Sequence, residues 1–143
     1  MTTNTTDSKN CIFCKIVKKE IPAQFVFEDK SVVAFLDISP VNAGHTLVVP
    51  REHHADVLDT PDAVLNDMMT HAKRIAKAVM AATKSDGFNI GINTKAAAGQ
   101  VIFHTHLHII PRLSTDGLKH WPHQKLDAVK MASVQDSIKT LLK

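Results

Sequence analysis

Three histidines alternate with other residues in the segment His104–His108, which reads His-Thr-His-Leu-His. Successive side chains of an extended strand point to opposite faces, so the three imidazoles are expected on one face and Thr105 and Leu107 on the other. Imidazoles can serve as nucleophiles, proton donors or metal ligands near neutral pH. A face that only had to be solvated would use lysine, threonine or glutamate. The pattern therefore predicts a catalytic or metal-binding site on the histidine face of the strand and packing in the hydrophobic core on the other face.

Two cysteines, Cys11 and Cys14, open a short amphipathic segment that ends at Pro22. Cytosolic conditions disfavour a structural disulfide between them. A single CxxC pair leaves three interpretations open, which are a metal site, a redox pair and plain packing.

The elements that must position these residues are predicted from periodicity. The β-rich runs 25–29 and 31–37 predict an antiparallel hairpin, 45–50 a third strand and 88–93 a fourth, with the histidine segment as the fifth. Apolar residues at helical spacing from Pro61 to about Lys84 predict one long helix on the sheet. A C-terminal helix is expected from Leu126 onward, restarted near Ser133 by a capping pattern. The class is α+β, an antiparallel five-stranded sheet with one long helix and short terminal helices.

Length and composition favour one soluble domain. The 143 residues are 44% hydrophobic and 22% charged, which is an ordinary globular balance. No apolar run could span a membrane and no secretory signal is recognised, so a cytoplasmic protein is expected. The net charge of +3 is dispersed, so nucleic acid is not the expected partner. We expect a disordered tail over 1–9, the domain over 10–112, and an extension over 113–143 with a helix packed on the same domain.

The segment His104–Ile110 resembles the defining motif of the histidine triad (HIT) family, in which three histidines alternate with apolar residues and two apolar residues follow. Further segments are similar to that family in order and approximate spacing, and together they span residues 11–111: 11–16 (CIFCKI), 34–40 (AFLDISP), 44–50 (GHTLVVP) and 99–100 (GQ). The combination resembles the Hint-like branch of nucleotide hydrolases and transferases.

The resemblance implies a hydrolase that acts at the α-phosphate of a purine nucleoside monophosphate derivative, such as a nucleoside phosphoramidate, through a nucleotidyl-histidine. His106 would be the nucleophile, and His104, His108 and Gln100 would complete the catalytic set. The implied nucleotide contacts are Phe13, Ile16, Phe35, Leu36, Ile38 and Leu47 around the base, Asp37 at the ribose hydroxyls, and His45, Asn93, Gly99, Gln100, Val101 and His108 on the phosphate side. The resemblance also implies a homodimer with one continuous sheet and no organic cofactor.

A structural zinc ion is implied as well, held by Cys11, Cys14, His53 and His104. Family members with CxxC are expected to complete the site with the first triad histidine and the histidine after the Val-Val-Pro strand. His54 stays open as the alternative to His53 if the alignment slips by one residue. Buried reduced cysteines that pack as small hydrophobes are the other interpretation.

One departure from the family concerns Val101, where many Hint-like proteins have a serine associated with protonating the leaving group. Valine cannot donate a proton, so a different leaving group or a slower enzyme is expected. Two alternatives therefore stay open, a nucleotide-binding signalling module with little turnover and a dinucleoside polyphosphate hydrolase. Trp121-Pro122 resembles a Trp-Pro pair of Hint proteins whose indole reaches toward the partner's active site.

Overall fold

The computed structural model describes residues 7–143, so the first six residues of the predicted tail lie outside the described part of the chain. After a 3-10 turn at Ser8–Asn10, the elements follow in the order α1 (Ile12–Val17), β1 (Phe25–Glu28), β2 (Val32–Leu36), β3 (Thr46–Pro50), α2 (Asp62–Thr83), β4 (Gly87–Gly91), β5 (Leu107–Arg112) and α3 (Ala128–Leu141). The strands form one sheet in the order β1-β2-β3-β5-β4. Every neighbouring pair is antiparallel, which confirms the predicted α+β fold.

Both faces of the central strands are covered by helices. Along β2, Val32 and Ala34 pack in the cluster under α2, while Val33 and Phe35 pack in the cluster that contains α1. This division follows from the alternation of side chains along a strand. It explains why β2 and β3 are almost entirely apolar and buried.

Helix α2 presents a regular apolar stripe to the sheet. Met68, Ala72 and Ala76 are fully buried, and they pack with Leu107 and Ile109 of β5. The helix follows Pro61 and ends at Lys84, whose left-handed backbone (φ 54°) stops the helical path. Packing against α2 therefore fixes Leu107 and Ile109 on one face of β5. This contact also sets the position of the side chains on the opposite face of the strand.

The histidine segment is only partly a strand. The sheet takes in Leu107 and His108, which pair with Val48 and Leu47 of β3, but His104 and His106 precede β5. The N–H of Thr105 donates to the carbonyl of His54 at 2.7 Å, outside the sheet ladder. We expected one strand through all three histidines, but β5 begins only at Leu107. The Thr105 N–H is bonded to the loop after β3 and is not available to a neighbouring strand.

The C-terminal extension carries a helix, but all residues from 117 to 143 are exposed. The expected packing of this helix on the domain of its own chain is therefore not observed. Helix α3 begins at Ala128, two residues after the predicted start, and runs through Ser133 without a restart, because the Asp127 side chain accepts a hydrogen bond from the Lys130 N–H at 2.7 Å. Its cap is thus Asp127 and not Ser133.

Among residues 7–143, no helix has the length and apolar composition needed to cross a lipid bilayer.

Candidate functional site

His106 is a buried histidine whose tautomer is fixed by the backbone. Its Nδ1 lies 2.7 Å from the carbonyl oxygen of His104, and a carbonyl can only accept, so Nδ1 carries the proton. In the neutral ring Nε2 is then the lone-pair nitrogen, and within the described residues it has no hydrogen-bond partner. The Phe13 ring packs edge-on against this imidazole with centroids 5.0 Å apart. The arrangement presents an oriented, unprotonated nitrogen at Nε2.

A chain of hydrogen bonds orients His108. The backbone N–H of Val41 donates to Nδ1 of His45 at 3.1 Å, which leaves Nε2 of the neutral His45 ring as the protonated nitrogen. That Nε2–H lies 2.9 Å from Nδ1 of His108, so it donates there. His108 must then carry its own proton on Nε2, an atom that is buried without a partner in the described chain. A buried unpaired donor is costly, so this N–H is suited to receive an acceptor such as a phosphate oxygen.

Burial keeps these imidazoles neutral. Desolvation lowers the pKa of His45, His106 and His108 below the ordinary value of 6.5. The neighbouring imidazole of His45 lowers the pKa of His108 further. Neutral rings have one donor and one acceptor each, which is what the hydrogen-bond chain requires.

Asp37 follows β2 and faces the same group of histidines. One carboxylate oxygen accepts the Ser39 N–H at 2.8 Å, and the other lies 3.7 Å from Nε2 of His45. The side chain thus serves the turn before Pro40 and keeps one oxygen on the side of the imidazoles.

The apolar residues expected around a base form a packed cluster beside the histidines. Phe13 and Phe35 meet edge-on at 5.6 Å, and Ile16 and Leu47 are buried in the same cluster. Leu36 is half-buried, while Ile38 is 93% exposed at the edge. The structure therefore brings together four of the six residues and leaves Ile38 apart from them.

Gln100 is buried and clamps the loop before the histidines. Its Oε1 accepts the Lys95 N–H at 2.9 Å, and its Nε2 donates to the carbonyls of Ala55 at 2.7 Å and Ile102 at 3.1 Å. Asp56 holds the same loop through Nζ of Lys95 at 2.6 Å, and that bond lowers the pKa of Asp56. The amide of Gln100 is fully used within the chain, so the geometry gives Gln100 a positioning role.

Asn93 and Gly99 lie together at the ends of this loop. The Asn93 side-chain amide donates to the Gly99 carbonyl at 3.5 Å. Gly99 has φ 93°, a left-handed backbone that glycine adopts without strain. Val101, two residues on, is 79% exposed and has no hydroxyl to offer.

A second cluster joins α1 to the segment before β5. Nδ1 of His104 lies 3.4 Å from Sγ of Cys11, 3.5 Å from Sγ of Cys14 and 3.3 Å from Nδ1 of His53. Nε2 of His104 donates to the Pro50 carbonyl at 2.8 Å, so the Nδ1 lone pair faces the cluster. Desolvation lowers the pKa of His104 to about 4 and raises the pKa of Cys14 to about 12. His53 and not His54 is the second histidine of the cluster, which decides between the two alternatives.

These four side chains could hold a metal ion. Zn–N bonds of about 2.0–2.1 Å and Zn–S bonds of about 2.3 Å place tetrahedral ligands roughly 3.3–3.8 Å apart. The separations of 3.3–3.5 Å between the nitrogen and sulfur atoms agree with a small tetrahedral ion. Two sulfur and two imidazole donors form a closed set without an open position, which is typical of a structural site.

Asp37, His45 and His108 also lie close enough to form a three-ligand group. However, Nδ1 of His45 accepts from Val41, so Nε2 is protonated and offers no lone pair to an ion. The 2.9 Å contact between His45 and His108 is a hydrogen bond. This group is therefore a donor relay and not a metal centre.

A cleft of about 610 Å³ extends from the histidines along β4 and β5 to the C-terminal arm, which we define as residues 117–127. Its lining includes His45, Asn93, Gly99 and His108, and also residues 119–122 of the arm. Lys119, His120 and Trp121 were not predicted as residues lining this site of their own chain. The Trp-Pro pair was the only sequence signal for them, and it pointed to a partner chain.

Comparisons with known proteins agree with this geometry. Residues 18–115 match the HIT domain family. The chain is 42% identical to adenylylsulfatase HINT3 of Arabidopsis thaliana over 86% of its own length, but it spans only 61% of that relative. It is 40% identical to adenosine 5'-monophosphoramidase HNT1 of Saccharomyces cerevisiae, covering 90% of this chain and 80% of the other.

Solved structures show the same fold. SMU.412c from Streptococcus mutans UA159 has a TM-score of 0.89 at 36% identity, covering 97% of this chain and 89% of that one. A Zn-bound histidine triad family protein from Mycobacterium smegmatis has a TM-score of 0.76 at 36% identity, covering 92% and 99% respectively.

Proposed function

Because the chain belongs to the HIT domain family, we propose that it is a hydrolase that binds a purine nucleoside monophosphate derivative and cleaves it at the α-phosphate. The reaction passes through a nucleotidyl-histidine on His106. The observation that carries this proposal is the fixed tautomer of His106, whose Nδ1–H is bonded to the His104 carbonyl. Two relatives named as an adenylylsulfatase and a monophosphoramidase support the nucleotide chemistry.

The first step is attack by Nε2 of His106 on the α-phosphorus, as the bond to the leaving group breaks. An imidazole is a good nucleophile and a tolerable leaving group, so the covalent route divides one displacement into two. Water then attacks the phosphorus and loses one proton to solvent, the bond between phosphorus and Nε2 of His106 breaks, and His106 returns as a neutral ring. The proton stays on Nδ1 of His106 throughout, donated to the His104 carbonyl.

Charge on the phosphate oxygens needs donors that are already in place. The buried Nε2–H of His108, held by His45 and the Val41 amide, meets this need. Asp37 would accept the ribose hydroxyls through the oxygen not used in the turn. The cluster of Phe13, Ile16, Phe35 and Leu47 would open to receive the base beside the His106 ring.

We propose that Cys11, Cys14, His53 and His104 hold a structural zinc ion. The separations of the donor atoms support this, and so does the Zn-bound relative from Mycobacterium smegmatis. When bound, zinc would crosslink α1 to the segment before β5 and would take no part in the reaction of the substrate. His104 would thereby hold the backbone carbonyl that accepts from His106.

A homodimer is part of the proposal. Strand β4 is an edge of the sheet, and an unpaired edge is a template for association. Joining two β4 edges would give one continuous sheet with a two-fold axis, the usual symmetry of homodimers. Exposed Trp121 and the exposed apolar residues of α3 offer further surface to a second copy.

The test is an assay of the full chain with adenosine 5'-phosphoramidate, adenosine 5'-phosphosulfate and a diadenosine polyphosphate side by side. Release of AMP from either of the first two, with slower cleavage of the third, is the expected result. Binding of AMP without turnover of any of the three would leave a binding module and contradict the hydrolase.

A further inference from the structure

We infer that Lys95 is a positioning residue of the site, and that its ion pair with Asp56 holds the phosphate-side loop, residues 93–100, in a strained conformation beside the histidine segment. The inference rests on the proposed function, since it assigns a residue that acts on catalysis through other groups. Four features of the described residues support it: the backbone of Lys95, the hydrogen bonds that close the loop around it, the burial of Asp56, and the connection from Asp56 to Thr105.

Lys95 has a backbone conformation that residues with a side chain rarely adopt. Its φ is 73° and its ψ is 158°, a region that is almost confined to glycine. Lys84, which follows α2, also has a positive φ, but its ψ of 35° belongs to the ordinary left-handed region. Strain of the kind found at Lys95 persists only where the surrounding structure holds it, and it is concentrated at functional sites. A lysine at this position therefore requires contacts that offset the strain.

The peptide groups of Lys95 close the loop. Its N–H donates to Oε1 of Gln100 at 2.9 Å, and its carbonyl accepts the N–H groups of Ala98 at 3.1 Å and Gln100 at 3.2 Å. A rotation of Lys95 to an ordinary negative φ would turn these groups away and break the closure. The same loop carries Asn93 and Gly99, which line the cleft beside the histidines. The conformation of Lys95 thus sets where these two residues lie.

The side chain of Lys95 supplies the contact that offsets the strain. Its Nζ lies 2.6 Å from Oδ2 of Asp56, whose side chain is only 6% exposed. The other oxygen of Asp56 accepts the N–H groups of Leu58 at 3.0 Å and Asp59 at 3.2 Å, so the carboxylate is fixed in its own loop. Within residues 7–143, no second cation lies within salt-bridge distance of Asp56. Loss of the ammonium would leave a buried carboxylate unpaired, which is unfavourable.

Asp56 also connects the phosphate-side loop to the histidine segment. Its carbonyl accepts the Thr60 hydroxyl at 2.7 Å, and Oγ1 of Thr60 lies 2.7 Å from Oγ1 of Thr105. Because the Thr60 proton is used at Asp56, Thr105 is the donor between the two hydroxyls. The other contact of the Thr105 hydroxyl, with the His54 carbonyl, is longer at 3.2 Å. Thr105 is buried and directly precedes His106, so the path from the ion pair ends beside the proposed nucleophile.

The ion pair therefore joins the two parts of the site that the proposed reaction must hold in register. Lys95 does not line the cleft and its ammonium is used at Asp56, so it acts through the loop and not on the phosphate. Charge that develops on phosphate oxygens is stabilised best by groups already in place. A relaxed loop would weaken this stabilisation, while the base cluster would still bind the nucleotide. We expect the loss in kcat and not in affinity.

Substitutions at residue 95 separate charge from strain. Lys95→Met keeps the strain and loses the ion pair, and it should lower kcat for AMP release about five- to tenfold, the scale of one partly buried ion pair. KM and the affinity for AMP should stay within about twofold. Lys95→Gly also loses the ion pair, but glycine adopts this conformation without strain, so about half or more of kcat should remain. Lys95→Arg keeps the ion pair and should restore kcat.

Asp56→Asn tests the other partner of the ion pair. It should reproduce the loss seen in Lys95→Met, and the double variant should be little worse than either single one, because both changes break the same contact. The losses should be equal with adenosine 5'-phosphosulfate and adenosine 5'-phosphoramidate, since the loop acts on the phosphate that they share. Equal losses in Lys95→Met and Lys95→Gly, full activity in Lys95→Met, or additive losses in the double variant would overturn the inference.

Lys84 provides the matched control. It is an exposed lysine with positive φ outside the site, and no acidic partner lies within salt-bridge distance among the described residues. Lys84→Met and Lys84→Gly should leave kcat and KM unchanged. A difference in kcat between these two variants as large as that at residue 95 would show a general effect of backbone strain and overturn the positioning role.

A measurement without substrate separates this inference from the proposed function. Hydrogen exchange followed by NMR reports on the Ala98 and Gln100 N–H groups, which donate to the Lys95 carbonyl. Both should exchange faster in Lys95→Met than in the wild type, and less so in Lys95→Gly. That result in a chain that turns over neither substrate would uphold the hold on the loop and contradict the proposed catalysis. Unchanged exchange in Lys95→Met would overturn the inference even if the chain is an active hydrolase.

Discussion

His106 and the groups bonded to it form the smallest unit that could carry the chemistry. The His104 carbonyl fixes its Nδ1 proton, and Phe13 packs against its ring. Replacing His106 by glycine removes the nucleophile but no group proposed to hold the nucleotide. We expect turnover to fall by several orders of magnitude while AMP binding changes little. Steady-state rates together with calorimetric binding of AMP would check this, and near-normal turnover in His106→Gly would contradict the assignment.

His45 gives a prediction about pH. Burial lowers its pKa, so the folded state binds fewer protons than the unfolded state as the pH falls below about 6.5. This contribution to stability is therefore complete above pH 6.5 and is lost as the pH falls through the lowered pKa. His45→Asn keeps an acceptor for Val41, with Oδ1 in the place of Nδ1, but cannot titrate, so its unfolding free energy should depend less on pH between 7.5 and 5 than that of the wild type. Urea unfolding at both pH values measures this, and equal pH dependence of the two proteins would argue against it.

The side chains proposed for chemistry could be picked out from the sequence because their types are uncommon and their spacing is distinctive. The three histidines, both cysteines and Asp37 all have a small set of uses at such spacing, and the structure places them together. The Val41 amide could not be predicted, since any residue supplies a backbone N–H. The ion pair of Lys95 could not be predicted either, because a single exposed lysine has no pattern.

The loop of residues 93–100 depends on one buried side chain. Gln100 makes three hydrogen bonds that tie this loop to Ala55 and Ile102. Gln100→Ala leaves those backbone groups unpaired, which costs about 1–3 kcal/mol per group at most and less where water enters. We expect a clear loss of unfolding free energy and reduced activity. Gln124→Ala in the exposed arm is the matched control, and identical denaturant midpoints for both variants would refute the clamp.

Helix α1 and the histidine segment are joined by the Cys/His cluster. If zinc holds them, protein purified without a histidine tag should contain about one equivalent of zinc, and a chelator should lower its melting temperature. The double variant Cys11→Ser, Cys14→Ser should bind no zinc and be insensitive to the chelator. Metal analysis with thermal denaturation decides the matter; less than about a tenth of an equivalent, with no effect of chelator, would end the zinc proposal.

Helices and strands were predicted accurately where side-chain periodicity is strong and less well at their ends. Helix α2 and strands β1–β4 agree with the predicted runs to within about two residues, since their apolar faces are continuous. Strand β5 begins at Leu107 because a loop carbonyl takes the Thr105 N–H, and this bond has no local signal. Helix α3 begins at Ala128 because Asp127 caps it, which outweighs the pattern at Ser133.

The whole molecule leaves an unusual amount of apolar surface at its C-terminal end. Met131, Val134, Ile138 and Leu141 of α3 follow a 3-4-3 spacing, and all are exposed. A single helix of 14 residues is marginal in water without packing. Packing on a second copy of the chain would cover this apolar stripe. The sequence predicted a helix here but gave no indication of which surface the helix contacts.

We therefore expect a dimer at micromolar concentration in light scattering. Val134→Asp with Ile138→Asp should weaken the dimer, because both changes place charge in the apolar stripe. Ser133→Asp with Gln135→Asp adds the same charge beside the stripe and should affect the dimer less. A monomeric wild type would contradict the dimer, and equal effects of the two pairs would contradict the involvement of the stripe.

The covalent intermediate at His106 is the central feature of the proposed function. Rapid mixing of the full chain with adenosine 5'-phosphosulfate, quenching in alkaline denaturant and mass spectrometry of the intact protein and its peptides would detect it directly. We predict a transient mass increase of one adenylyl group, located on the peptide that contains His106 and lost as AMP forms. Release of AMP during single turnovers without any adenylylated protein, or an adduct on another residue, would contradict the account.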